Sequence, residues 1–256
     1  MIKMKINRVD HSNNNVPILY NREIDEFAHA VLEDYKPGLL RKPGAIRFEH
    51  FLESYLGATI LYKDIYYDDP ECPVFAAAVF RDGIFKVFDR ENICISNMLV
   101  RANTVIIDNL VTKPGREGLA MFTGLHEGGH ILIHPGVYET FRAGQICCRK
   151  ENIEHTGNYG ESRSPKTAGQ WLEHQANYFA ASIAMPDATF KPFVNEFLRE
   201  HGIWKGSITL GSDDDLDIIA KDLLPESIAE VYGVSKLAAS IKLKKCSFIA
   251  GPKKFI

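Results

Sequence analysis

The run Leu125-His126-Glu127-Gly128-Gly129-His130-Ile131-Leu132-Ile133-His134 decides how the rest of the chain is read. Two histidines four apart lie on one face of a helix, so both imidazoles can reach one metal ion. Glu127 stands one step round and can address a water at that ion as general base. Leu125 before the pair and Ile131–Ile133 after it predict a half-buried helix. Its apolar positions begin near Glu117 with Leu119 and Phe122. Gly128 and Gly129 each cost a helix about 1 kcal/mol. Their presence predicts that something packs closely there, such as a strand or a substrate backbone.

A catalytic zinc takes three protein ligands and leaves one position for water. His134 is a poor third ligand. The histidines at 126, 130 and 134 span ~12 Å of helix rise, too far for one small ion. Ile133 and Gly136 also stand where a metzincin needs Gly and His. His134 therefore reads as a packing residue or as a support for a ligand. The better candidate lies in Trp171-Leu172-Glu173-His174-Gln175-Ala176-Asn177-Tyr178-Phe179-Ala180. Glu173 and Asn177 share a helix face. Glu173 can ligate while Asn177 accepts a hydrogen bond from a ligating imidazole and fixes its tautomer. His174 points elsewhere. The polar stretch 135–168 must loop out to bring the two helices together, as a flap or as short elements without a clear period.

Further from the motif, Ile24, Phe27, Ala28, Val31, Leu32 and Tyr35 form one helical stripe, closed by Pro37-Gly38. A second helix is expected from Ile46 through Tyr55, ending at Gly57. Four β-prone runs follow between Ala58 and Ile107, with Asp82-Gly83 reading as a hairpin turn between two of them. Helix is expected again over Phe190–Ile203, and the acids at 213–217 read as a solvated loop or helix start.

The chain has 256 residues, 30 Lys and Arg against 33 Asp and Glu, and a net charge of −3, which excludes a chain-wide polycation for nucleic acid. With 45% apolar and 25% charged residues it reads as globular. No apolar run is long enough to span a membrane, and Met1–Arg8 shows no secretory signal. The five cysteines, Cys72, Cys94, Cys147, Cys148 and Cys246, are expected as reduced thiols in a cytosol. The charge is uneven: the last 26 residues hold six lysines and no acid. There, Ile228–Leu243 reads as helix, Gly233 turn, Ser235 cap and helix, a pattern open to DNA reading or to structural and protein-docking roles. The absence of Arg on the second helix favours the structural or docking role.

The pairing of His126-Glu127-x-x-His130 with Glu173-x-x-Ala176-Asn177-x-Phe179-Ala180-Ala181 and Met185-Pro186 resembles the ImmA/IrrE family of zinc metallopeptidases. The resemblance is strongest over 117–134 and 170–186. It implies an α+β, gluzincin-like core with a small, mainly antiparallel sheet, and C-terminal helices resembling a helix-turn-helix. The metallopeptidase domain is placed at 1–190 and the helical appendage at 191–256. The resemblance also implies one Zn²⁺ on His126, His130 and Glu173, with Glu127 as base. It implies a cytoplasmic protease for a helix-turn-helix repressor, with weak DNA contact possible through the C-terminal region and no membrane partner. Tyr159, His155 and Tyr178 are candidate oxyanion donors. Gln175 stands where the family often has a second Glu, which spares ligation because Glu173 is kept. The alternative is a DNA-binding or protein-binding regulator with a non-catalytic metal site.

Overall fold

The computed structural model describes residues 1–138, 145–149 and 165–251. In chain order these form a ribbon of β1 (Val9–Asp10) and β2 (Val16–Pro17), helix α1 (Asn21–Tyr35), and a short helix α2 (Phe48–His50) continued by a π-helical turn over Phe51–Tyr55. Strands β3 (Thr59–Lys63), β4 (Val74–Val79), β5 (Gly83–Asp89), β6 (Cys94–Val100) and β7 (Thr104–Asp108) follow. Next come α3 (Glu117–Ile133), α4 (Pro135–Tyr138), β8 (Gln145–Arg149), α5 (Ala168–Ala184) and α6 (Asp187–Glu200). The last elements are β9 (Ile208–Thr209), α7 (Asp214–Ile218), α8 (Leu224–Tyr232), α9 (Lys236–Lys245) and β10 (Ile249–Ala250). The second predicted helix thus begins at Phe48 rather than Ile46, and Gly57 closes it at φ 66°.

The architecture is α+β. The main sheet has the order β3-β7-β4-β8, with β3–β7 parallel and the other two pairs antiparallel. Helix α3 lies between this sheet and α5. Its buried positions run almost all the way round, from Ala120 and Met121 through Leu125–His130 to Leu132 and Ile133. A helix of that kind has to be covered on both sides. Strands β4 and β7 are continuous buried runs for the same reason. Ala76, Val105 and Ile107 join the helix-side core with Leu125 and Phe179. Ala77, Val79 and Ile106 face the other way, onto Phe85 and Val100.

That second layer corrects the reading of Asp82-Gly83. These residues do not turn a hairpin between β4 and β5. Both edges of β4 are already occupied by β7 and β8, so the following strand cannot pair with it. The chain instead crosses over, and Asp82 accepts a hydrogen bond from the Ala102 amide at 2.7 Å. The hairpin is β5–β6, paired from Gly83↔Val100 to Asp89↔Cys94.

The glycines of α3 mark close approach, but not by a strand or a substrate. A Cβ on Gly128 would lie 2.9 Å from the Phe51 ring, and one on Gly129 would lie 3.1 Å from Phe179 and 3.3 Å from the Ala176 backbone. At the other end of the helix, a Cβ on Gly118 would come within 2.7 Å of Ser235 N and 2.8 Å of Val234 C. Those are backbone atoms and cannot swing away. Gly118→Ala is therefore expected to lower stability by about 1–3 kcal/mol through overpacking, despite the better helix former. Gly169→Ala, with nothing within 4 Å of its Cβ, is expected to raise it by roughly 0.5 kcal/mol. Urea midpoints moving in opposite directions would check the pair; equal midpoints would refute the contact.

The C-terminal helices share the main core. Phe190, Val194 and Leu198 pack with Ile228, Tyr232, Leu243 and Phe248. Gly233 takes the left-handed conformation between α8 and α9, and Ser235 caps α9 by accepting from the Ala238 amide. Several of the basic residues are engaged within the fold. Lys242 is buried and pairs with Asp187, Lys236 pairs with Glu226, and the Lys245 ammonium lies 3.2 Å from the Tyr178 ring centre. Lys253 and Lys254 lie outside the described residues. Among the described residues no helix is long and apolar enough to cross a membrane. Cys94 and Cys246 are free thiols, while the side chains of Cys147 and Cys148 lie outside what is described.

Candidate metal centre

α3 supplies His126 and His130 from one face, and α5 supplies Glu173 from the facing helix. Both helices form where the sequence predicts them. α5 is started by Thr167, whose hydroxyl accepts from the Gln170 amide while the Gln170 side chain reaches back to the Thr167 amide. The His126 and His130 Nε2 atoms lie 3.0 Å apart. Glu173 Oε2 is 3.3 Å from His126 Nε2, and Oε1 is 3.5 Å from His130 Nε2. All three candidate ligands therefore converge, and among the described residues they form the one cluster able to hold a metal ion.

The spacing fits such an ion. Four ligands on a tetrahedron with bonds of about 2.0–2.1 Å are separated by roughly 3.3 Å along each edge; the Nε2–Nε2 separation of 3.0 Å and the separations of 3.3 and 3.5 Å to the two different Glu173 oxygens lie near that value. The protonation pattern fits too. Asn177 Oδ1 lies 2.8 Å from His126 Nδ1, so Nδ1 donates and Nε2 keeps its lone pair. A bare imidazole nitrogen packed against a second imidazole and a carboxylate is stable only if something positive sits among them. Three buried carboxylate oxygens point to the same need: Glu173 Oε2 and both oxygens of Glu127 have no hydrogen-bond partner. Two imidazoles and one carboxylate are a usual donor set for a divalent ion with an open position.

Burial drives the two glutamates apart. Glu127 is fully buried, and desolvation pushes its carboxyl up to about 8. Glu173 raises it further, whereas His126 and the nearby Ala78 amide of β4 pull it down without restoring it. Burial alone would also raise Glu173, but its close contacts with His126 and His130 outweigh that and hold it below the carboxylate range. Desolvation lowers His130 and lowers His134 strongly, so both favour the neutral ring a ligand or its support requires.

His134 is outside the ligand cluster, as the helix rise predicts. Its Nδ1 lies 2.9 Å from His130 Nδ1 and its Nε2 2.9 Å from Gln175 Oε1. The role of Gln175 is the part that the sequence did not show. His174 turns away toward Asn21. Tyr178 is not aimed at the site: its hydroxyl donates to Asp25 Oδ2 at 2.8 Å, on α1. The other proposed oxyanion donors, His155 and Tyr159, lie outside the described residues, as does most of the polar stretch 135–168.

The sequence model of the family described as the IrrE N-terminal-like domain, Peptidase M78, matches residues 113–244, just over half of the chain and both ligand-bearing helices. No curated protein matches the chain.

Proposed function

The chain belongs to the IrrE N-terminal-like family of metallopeptidases, and on that footing we propose that it is a zinc-dependent endopeptidase of the cytoplasm. The observation that carries this reading is the convergence of two imidazole nitrogens and a carboxylate at ligand spacing, with Glu127 buried beside them. His126, His130 and Glu173 are the ligands. When bound, the ion supplies Lewis acidity, polarising the scissile carbonyl and acidifying water.

The chain's own residues do the rest. Glu127 takes a proton from the attacking water and passes it to the leaving amine. Asn177 holds His126 in the tautomer that presents Nε2. The division of labour follows from environment. In the metal-free chain Glu173 stays ionised beside the two histidines, whereas burial against the sheet raises Glu127, so the two carboxyls differ in how readily they take up a proton.

The proposed substrate is a helix-turn-helix transcriptional repressor, and the family resemblance supports that choice. The test is incubation of the zinc-loaded chain with such a repressor, followed by mass spectrometry. Discrete internal fragments are expected; they should vanish with a chelator and return with zinc. A repressor that stays intact but bound would replace cleavage with a binding role.

A further inference from the structure

The geometry points to a hydrogen-bond relay, Pro17–Gln175–His134–His130, that locks the tautomer of His130 from the N-terminal ribbon. The inference rests on reading His130 as a metal ligand, but each link has a direction of its own.

The Pro17 carbonyl can only accept, and Gln175 Nε2 donates to it at 2.7 Å. That fixes the amide, so Gln175 Oε1 is the atom facing His134 Nε2 at 2.9 Å. An amide oxygen only accepts, so His134 carries its hydrogen on Nε2. A neutral ring then presents a bare Nδ1. The atom opposite, His130 Nδ1 at 2.9 Å, has to be the donor. His130 Nε2 is left bare and pointing at His126 Nε2 and Glu173.

The relay is closed off from bulk solvent: His130 and His134 are 0% exposed and Gln175 is 1% exposed. The two candidate ligand histidines are thus oriented by separate devices. His126 is oriented by its contact to Asn177 within the helix pair. His130 is held through three links that end on the backbone of β2. Gln175 and His134 are positioning residues: neither is in the ligand cluster. A flip anywhere along the relay would place a hydrogen on His130 Nε2 and block it.

The deciding measurement is the imidazole ¹⁵N spectrum of the whole metal-free chain. Wild type is expected to show His134 in the Nε2–H form and a protonated Nδ1 on His130. Gln175→Leu removes the anchor; it should populate the opposite His134 tautomer and weaken zinc binding, read by chelator competition, about 10–100-fold. At a pH where its carboxyl is protonated, Gln175→Glu donates to the Pro17 carbonyl and accepts from His134 Nε2, and there both readouts should return to near wild type, a rescue that a packing role would not produce. A wild-type His134 found in the Nδ1–H form overturns the relay, as does a Gln175→Leu chain with unchanged tautomers and zinc affinity. If wild type binds no zinc, the ligand reading fails, while the metal-free spectrum still decides the relay.

Discussion

Glu127→Gln is expected to slow peptide hydrolysis by about 10²–10⁴-fold, the usual contribution of a general base, while zinc stays bound at one equivalent. The separation of effects follows from position. Glu127 is outside the His126–His130–Glu173 cluster, so its loss removes no ligand. The amide has nearly the same shape but cannot take a proton from water. A variant that keeps wild-type turnover, or that loses its metal, would refute the assignment of Glu127 as base.

The same substitution has a second consequence, in the metal-free chain. Glu127 is raised from 4.5 to about 8 by desolvation, so between those values the folded state holds a proton that the unfolded state has released. Stability from this group therefore falls as pH rises through the window and is lost above about 8. His130 and His134 are lowered instead, so their contribution runs the other way, but below their ordinary value of 6.5. Urea melts of the metal-free wild type should lose stability from pH 7 to pH 8.5, and Glu127→Gln should flatten that loss. Bound zinc should flatten it too, because a nearby dication favours the ionised carboxylate.

The helices that build the site were legible because their spacing is a local property. The four-residue steps from His126 to His130 and from Glu173 to Asn177 each define a helix face without knowledge of the fold. Gly128 and Gly129 announced a close neighbour for the same reason, but not its identity: Phe51 and Phe179 come from elements far apart in the chain. Strand pairing failed at Asp82-Gly83 because a turn signal says nothing about whether the strand before it has a free edge. The lysines of α9 left DNA reading, docking and structural roles open because sequence shows charge and not partners. The partners of Lys242 and Lys236 are Asp187 and Glu226, on α6 and α8. Gln175 and Pro17 meet across 158 residues, a contact for which no local pattern exists.

Glu173→Ala is expected to abolish stoichiometric zinc binding. Glu173 is the one anionic group in the cluster, and its oxygens lie 3.3 and 3.5 Å from the two imidazole nitrogens. Without it the ion would keep two neutral donors, both from α3, and nothing from α5. The loss should exceed the 10–100-fold typical of a group that only supports a ligand. It also has a readout that does not depend on activity. A ligand that binds only the folded state stabilises it, by about 4 kcal/mol at a thousandfold excess over its dissociation constant. Zinc should thus raise the melting temperature of the wild type and leave that of Glu173→Ala in place. Glu173→Gln separates charge from shape, because its amide oxygen can still reach the site but carries no charge. A small zinc-induced shift is expected from it, between the other two. If Glu173→Ala keeps one zinc and the full melting shift, the third ligand lies elsewhere, and the pairing of α3 with α5 is a packing contact rather than the two halves of a metal site.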